Sequence, residues 1–294
     1  MPPPSAETVT PALLRDWLLP SGEGGKEGRG RTLVVGGSAE TPGAVLLAAE
    51  AALRCGAGKL QVATAASVAV AVAVALPEAM VRGLPEAAAG AVSGRGAISA
   101  RDLAQSADCV LLGPGLTDPE ESATVVRTLV DGLDVPVVVD ALALAAVTED
   151  PGCIQHLSGR TVLTPNPGEL AHTLHEDEAK IEEDPAGAAA RLAELTGAVV
   201  AVGGATSWVV APDGRNWRDD GGAPGLGVSG AGDVRAGLVA GLIARGAEPA
   251  QAAVWAGHLH GRAGERLAAQ SGPLGYLARQ LAPEVPALLV EITH

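Results

Sequence analysis

A chain of 294 residues is long enough for one large α/β domain or two small ones, and for a substantial buried core. It has no Phe, one Tyr and four Trp, so the core must be aliphatic. The formal charge of -14 argues against nucleic-acid backbones or anionic membranes as partners, and the longest apolar run, Val68 to Leu76, is too short to span a bilayer.

The opening Met1-Pro2-Pro3-Pro4 lacks the charged and apolar regions of a secretory signal. Pro11 to Leu19 is a short amphipathic piece, and Ser21 to Gly28 has the composition of a loop. Regular structure is expected from Thr32 to Val35 as a strand, ending at Gly36-Gly37-Ser38, with a helix over Gly43 to Arg54. Lys59 to Thr64 reads as a strand, Ala66 to Ala75 as a helix and Ala79 to Arg82 as a strand. Further short apolar runs follow at Cys109 to Leu112, Val137 to Asp140 and Thr161 to Leu163, with a helix over Glu120 to Val130. Strands that alternate with helices imply a largely parallel sheet covered on both faces, with ligands at the carboxyl ends of its strands.

Val199 to Val202 and Trp208 to Ala211 resemble a strand pair, and Asp213 to Trp217 a turn leading into a short strand. The remainder reads as helical over Gly230 to Arg245, Pro249 to Ala269 and Leu274 to Leu281. No repeat or linker marks a second domain, so residues 1–30 are expected to form an arm and loop and residues 31–294 one domain. Cys55, Cys109 and Cys153 have no metal-ligand spacing and read as reduced thiols, in keeping with a cytoplasmic protein.

The string with most chemistry is Gly227-Val228-Ser229-Gly230-Ala231-Gly232-Asp233, directly ahead of an apolar helical run. Unpaired amides at a helix start attract an anion, and glycines let its backbone approach. A carboxylate beside a phosphate is repelled by it, unless Asp233 is there to take a proton from a hydroxyl near a phosphoryl group. Capping the helix is the plainer role for the same residue.

Gly230-Ala231-Gly232-Asp233 is similar to the anion hole of ribokinase-like enzymes, in which the Asp is the base. The whole chain resembles the ADP/ATP-dependent NAD(P)H-hydrate dehydratases. The resemblance rests on Val35-Gly36-Gly37-Ser38, Pro42-Gly43-Ala44, Arg54-Cys55-Gly56-Ala57-Gly58, Pro77-Glu78-Ala79-Met80, Gly113-Pro114-Gly115-Leu116, Val139-Asp140-Ala141, Thr164 to Leu170 and His260 to Gly264, in family order. It implies a three-layer ribokinase-like α/β fold, with a mostly parallel central sheet flanked by helices, in a homo-oligomer. The implied activity is repair. A nucleotide phosphorylates the hydroxyl of a hydrated nicotinamide ring and phosphate then leaves, with ADP or ATP as donor and Mg²⁺ as the metal.

By position, the resemblance makes Asp233 the base. Gly230, Ala231 and Gly232, with Gly203, Gly204, Ala205, Thr206 and Ser207, would follow the nucleotide, and Ala44, Gly115, Asn166 and Asp233 would line the site for NADH or NADPH hydrate. The chain departs from the family where Lys-Gly-Ala becomes Gly203-Gly204-Ala205, where a His becomes Asn166, and where Asp-Ala-Asp becomes Asp140-Ala141-Leu142. Asn166 retains a donor and an acceptor for a carboxamide. Arg235 either replaces the missing cation or occupies a solvated helix position.

Other candidates have plainer readings. His258 and His260 are two apart on a helix and cannot form a metal pair there. His172 and His175 lie in an acidic solvated stretch, whereas Glu169 could bind Mg²⁺ through water. Trp217 could stack on adenine, though packing is the ordinary role. Two other functions remain open: a small-molecule kinase of the same superfamily, and a nucleotide-binding relative without catalysis.

Overall fold

The computed structural model describes residues 6–293, so the Met1 to Pro4 opening lies outside it. Its strands are β1 (Glu7–Thr8), β2 (Arg31–Val35), β3 (Lys59–Ala65), β4 (Ala79–Leu84), β5 (Cys109–Leu112), β6 (Val137–Val139), β7 (Thr161–Leu163), β8 (Val199–Val202), β9 (Ser207–Val210) and β10 (Asn216–Asp219). They join in one sheet of order β1-β10-β9-β8-β7-β6-β5-β2-β3-β4. Only β9 runs against its neighbours, pairing antiparallel with both β8 and β10.

The helices are α1 (Pro11–Asp16), α2 (Gly25–Gly28), α3 (Pro42–Arg54), α4 (Ala69–Ala75), α5 (Arg101–Ser106), α6 (Pro119–Val130), α7 (Ala145–Glu149), α8 (Pro167–Leu174), α9 (Glu178–Glu183), α10 (Pro185–Thr196), α11 (Ala231–Ala244), α12 (Pro249–Ser271) and α13 (Leu281–Thr293). Alternate strand residues feed two cores. Val34, Val62, Leu111, Val138 and Val162 meet α3, α11, α12 and α13 on one face. Leu33, Val35, Val110, Leu112, Val139 and Leu163 meet α6, α7, α8 and α10 on the other. Apolar residues at every strand position are what burial on both faces requires, and the result is the three-layer α/β architecture expected.

Three parts of the chain differ from the sequence reading, the first being the expected Ser21 to Gly28 loop, in which Gly25–Gly28 forms the short helix α2. The last helix was expected over Leu274 to Leu281 but begins at Leu281. Gly272 and Gly275 take φ of 101° and 99°, which breaks the preceding stretch. Leu281, Val285, Leu288 and Ile292 then form the buried stripe of α13. The amino-terminal arm belongs to the sheet: β1 pairs with β10, Leu14 is wholly buried, and Trp17 stacks on Trp217 with ring centroids 5.4 Å apart. That contact gives Trp217 its packing role. Among the described residues no helix is long and apolar enough to cross a membrane.

Candidate active site

The site begins where β7 ends. Pro165 cannot continue the ladder, and the Asn166 carboxamide oxygen accepts the Glu169 amide at 2.8 Å while the Glu169 carboxylate accepts the Asn166 amide at 2.8 Å. With Pro167 in the first helical turn, this is a capping box that starts α8. Asn166 therefore has one lone pair of its side-chain oxygen committed to the helix cap, while its side-chain NH₂ remains for a ligand.

Across the strand ends lies the start of α11. Gly230 stands at the N-cap with φ of 89° and no side chain to cap the helix, a conformation that strains any residue with a Cβ. The Ala231 amide turns back to the Val228 carbonyl at 3.1 Å. Among the described residues, the amides of Gly232 and Asp233 have no protein acceptor. They sit at the positive end of a 14-residue helix, where an anion is favoured.

These elements enclose a cleft of about 640 Å³ whose walls include Asn166, Gly203, Ala231, Gly232, Arg235 and His260. Gly204 and Ala205, from the turn between β8 and β9, and Ser207, the first residue of β9, line it as well. Thr206, expected to follow the nucleotide, instead donates to Asp220 at 3.0 Å and does not line the cleft, and Gly230 and Asp233 stand behind its wall beside Ala231 and Gly232. Ala44 and Gly115 touch one another outside that wall, a Cβ on Gly115 falling 2.9 Å from that of Ala44. One turn further along α3, Leu47 packs against Gly230, so this pair flanks the start of α11.

Charge in the site is concentrated and poorly solvated. Burial, with Glu169 nearby, raises the Asp233 carboxyl from 3.8 to about 6. Asp140, at the end of β6, is buried and accepts the Thr164 hydroxyl at 2.6 Å; desolvation raises it to about 7, and Asp233 and Glu169 push the same way. Glu169 is itself raised by burial. His260 is held neutral, driven to about 3 by burial and then by Arg235, and its buried Nε2 has no partner.

Arg235 is buried, which rules out the solvated position considered for it. Its Nη2 donates to the carbonyls of Thr164 at 3.1 Å and Pro165 at 3.5 Å. Asp140 was assigned no role from the sequence, although the family-like Val139-Asp140-Ala141 string was a visible signal, whereas Arg235 was already read there as either a replacement for the missing cation or a solvated residue.

A loop between β10 and α11 forms the remaining wall, and three side chains tie it down. Asp219 accepts the Gly221 amide at 2.8 Å and pairs with His258 at 2.8 Å, while Glu265 accepts the Gly222 amide at 3.0 Å. His258 thus has the structural role expected of it. His260, two residues on, faces the cleft instead.

Asp140 also gives a stability prediction. A carboxyl that titrates at about 7 when folded, against 3.8 ordinarily, binds more protons in the folded chain between those values. Stability from this group is therefore present at low pH and lost as pH rises through 7. Asp140→Asn should raise the melting temperature at pH 8 but not at pH 4.5. Each pKa unit is worth about 1.4 kcal/mol, which sets an upper bound of about 4 kcal/mol. Equal shifts at both pH values would refute this assignment.

Comparison with known proteins bears on this geometry. A protein-family model described as NAD(P)H-hydrate dehydratase matches residues 32–287. The ADP-dependent (S)-NAD(P)H-hydrate dehydratase of Xanthomonas campestris pv. campestris is 47% identical over 291 residues, which cover 97% of each chain. Among solved structures, the ADP/ATP-dependent NAD(P)H-hydrate dehydratase of Bacillus subtilis, co-crystallised with ATP/Mg²⁺, superposes with a TM-score of 0.83 at 26% identity, covering 98% of this chain and 99% of the other. Ribokinase from Thermotoga maritima shares the fold, with a TM-score of 0.55 at 15% identity and coverage of 88% and 99%.

Proposed function

Because this chain belongs to the NAD(P)H-hydrate dehydratase family, we propose that its cleft removes water from hydrated NADH or NADPH at the expense of ADP or ATP, with Asp233 as the base. The observation that carries the reading is the pairing of two unclaimed amides, Gly232 and Asp233, with a carboxyl raised to about 6 at the same helix start. The amides hold the terminal phosphoryl group of the donor. The raised carboxylate remains largely ionised at neutral pH, yet is a stronger proton acceptor than an ordinary Asp.

In the first step Asp233 takes the proton of the ring hydroxyl as that oxygen attacks the terminal phosphorus, and the bond to the nucleotide breaks to release AMP or ADP. In the second, the C–O bond to the ring breaks with its electron pair on phosphate, and loss of a proton from the adjacent carbon restores the double bond. The resulting balance is one phosphate released per reduced ring recovered. The Gly232 and Asp233 amides stabilise charge that grows on the transferring group, where preorganised donors have most effect.

The relative's co-crystallisation with ATP/Mg²⁺ and the donor set here fit a metal that arrives with the nucleotide. Among the described residues there is no cage of three or more ligating side chains. Mg²⁺ commonly keeps waters and takes one or two carboxylates with the phosphates. Glu169, at the start of α8, is the carboxylate that would hold it through water, and the ion would supply neutralisation of phosphate charge.

Residues 31–294 are read as one catalytic domain, working in a homo-oligomer. The three free thiols, two of them buried, fit a cytoplasmic setting. The test is incubation of the protein with NADPH hydrate and ADP or ATP. Recovered absorbance of the reduced ring, matched one to one by phosphate, supports the reading. A stable phosphorylated product would favour a kinase, and nucleotide binding without turnover a non-catalytic relative.

A further inference from the structure

We propose that Arg235 supplies the positive charge of the phosphate site, and that position 203 is glycine because the Arg235 guanidinium fills the space a side chain there would occupy. The inference rests on reading the cleft as the nucleotide site. A Cβ built on Gly203 lies 2.3 Å from Nη1 and 2.9 Å from Cζ of Arg235. No side chain at 203 can coexist with the guanidinium where it stands.

The side chain of Arg235 is 9% exposed overall and lines the cleft that also holds the free Gly232 amide. Among the described residues it forms no ion pair, and only its Nη2 finds hydrogen-bond acceptors. Nη1 and Nε are left over. A buried cation without a bonded counterion is costly unless an anion completes it. Asp140 and Glu169 are close enough to favour its charge, but neither is bonded to it.

The other side chain on this wall offers no competing charge. His260 lines the same cavity but is neutral, and its Nε2 is buried without a partner. Arg235 is therefore the cation available to an anion bound at the start of α11, and a guanidinium can hold two phosphate oxygens at once. Its Nη2 contacts meanwhile anchor the turn that carries Asn166, so a merely structural role must be separated from a phosphate-binding one.

Three variants make that separation: Arg235→Met, Gly203→Ala, and the relocated cation Gly203→Lys with Arg235→Met. Calorimetry would follow inorganic pyrophosphate, ADP and adenosine, alongside hydrate repair. Arg235→Met should weaken pyrophosphate and ADP by about 10- to 100-fold, leave adenosine unchanged, and lower kcat/KM by about 10²–10³-fold. Gly203→Ala should weaken pyrophosphate by displacing the guanidinium, and it serves as the test should Arg235→Met fold poorly. The double variant should recover at least about tenfold of the loss.

Pyrophosphate binding that is unchanged in Arg235→Met or in Gly203→Ala would overturn the proposal, as would a double variant no better than Arg235→Met. Wild-type protein that binds pyrophosphate through Arg235 but repairs no hydrate would sink the functional reading and leave this assignment standing. Normal repair with unchanged pyrophosphate binding in Arg235→Met would do the reverse.

Discussion

Asp233→Asn is expected to lower kcat by about 10²–10⁴-fold, the range over which positioned general bases act. The substitution is nearly isosteric and removes negative charge beside the phosphate site. ADP should therefore bind as tightly as to wild type or more tightly, and the loss should appear in kcat rather than KM. Rapid-mixing assays of hydrate repair with a parallel calorimetric titration of ADP separate the two. A variant that retains wild-type turnover would remove Asp233 from the chemistry.

The pH dependence has a defined sign. Activity requires the ionised base, so kcat/KM in the wild type should fall on the acid side, below about pH 6. Asp140 titrates at about 7 and repels Asp233, so the acid limb belongs to the set of interacting carboxyls and should be broader than that of one isolated group.

The second large effect comes from the packing that aims α11. A Cβ on Gly237 would lie 2.1 Å from the Ala48 carbonyl oxygen, and one on Gly241 would lie 2.5 Å from both the Ala52 carbonyl oxygen and the Cys55 sulfur. These glycines are four apart on one face of α11 and allow close contact with α3. Gly237→Ala gains about 1 kcal/mol of helix propensity but drives a methyl group into backbone, which cannot move aside as a side chain would.

A net loss of about 2 kcal/mol or more is expected, at the upper end of overpacking costs. At about 2–4 °C per kcal/mol, the melting temperature should fall by several degrees. ADP affinity should fall with it, because the helix start moves with the helix. Gly232→Ala provides the contrast. An added Cβ there meets nothing within 4 Å, so stability should hold while the methyl group intrudes on the cleft and weakens ADP. An unchanged melting temperature for Gly237→Ala would show that the two helices have slack.

Much of the fold was legible because fully buried parallel strands leave an unbroken apolar signature. Val137-Val138-Val139 and Cys109-Val110-Leu111-Leu112 need no partner to be recognised, and the glycine-rich helix start at Gly230 carries its own chemistry. What escaped depends on contacts distant in sequence. The two-residue β1 has no period to read, and it is fixed by β10, more than 200 residues away. The last helix was misplaced because Ala- and Leu-rich composition outweighed Gly272 and Gly275, although the stripe from Leu281 to Ile292 was present.

The site shows the same division. Asp233 was identified from local sequence, but the capture of Asn166 by a helix cap, the engagement of the Ala231 amide by Val228 and the burial of Arg235 are products of tertiary geometry. Gly203 read alone is an absent side chain; only the structure reveals that Arg235 from α11 lies in its place. Asp140 could be located by its motif, but its pKa depends on burial at the junction of three strand ends.

The most direct measurement is a crystal structure of the full chain with a non-hydrolysable ATP analogue and Mg²⁺. The terminal phosphate is expected within hydrogen-bond distance of the Gly232 and Asp233 amides, with the Asp233 carboxylate facing the transferable group. Phosphates seated elsewhere, for example in the cavity of about 550 Å³ lined by Ala186, Ala190 and Trp208, would contradict it.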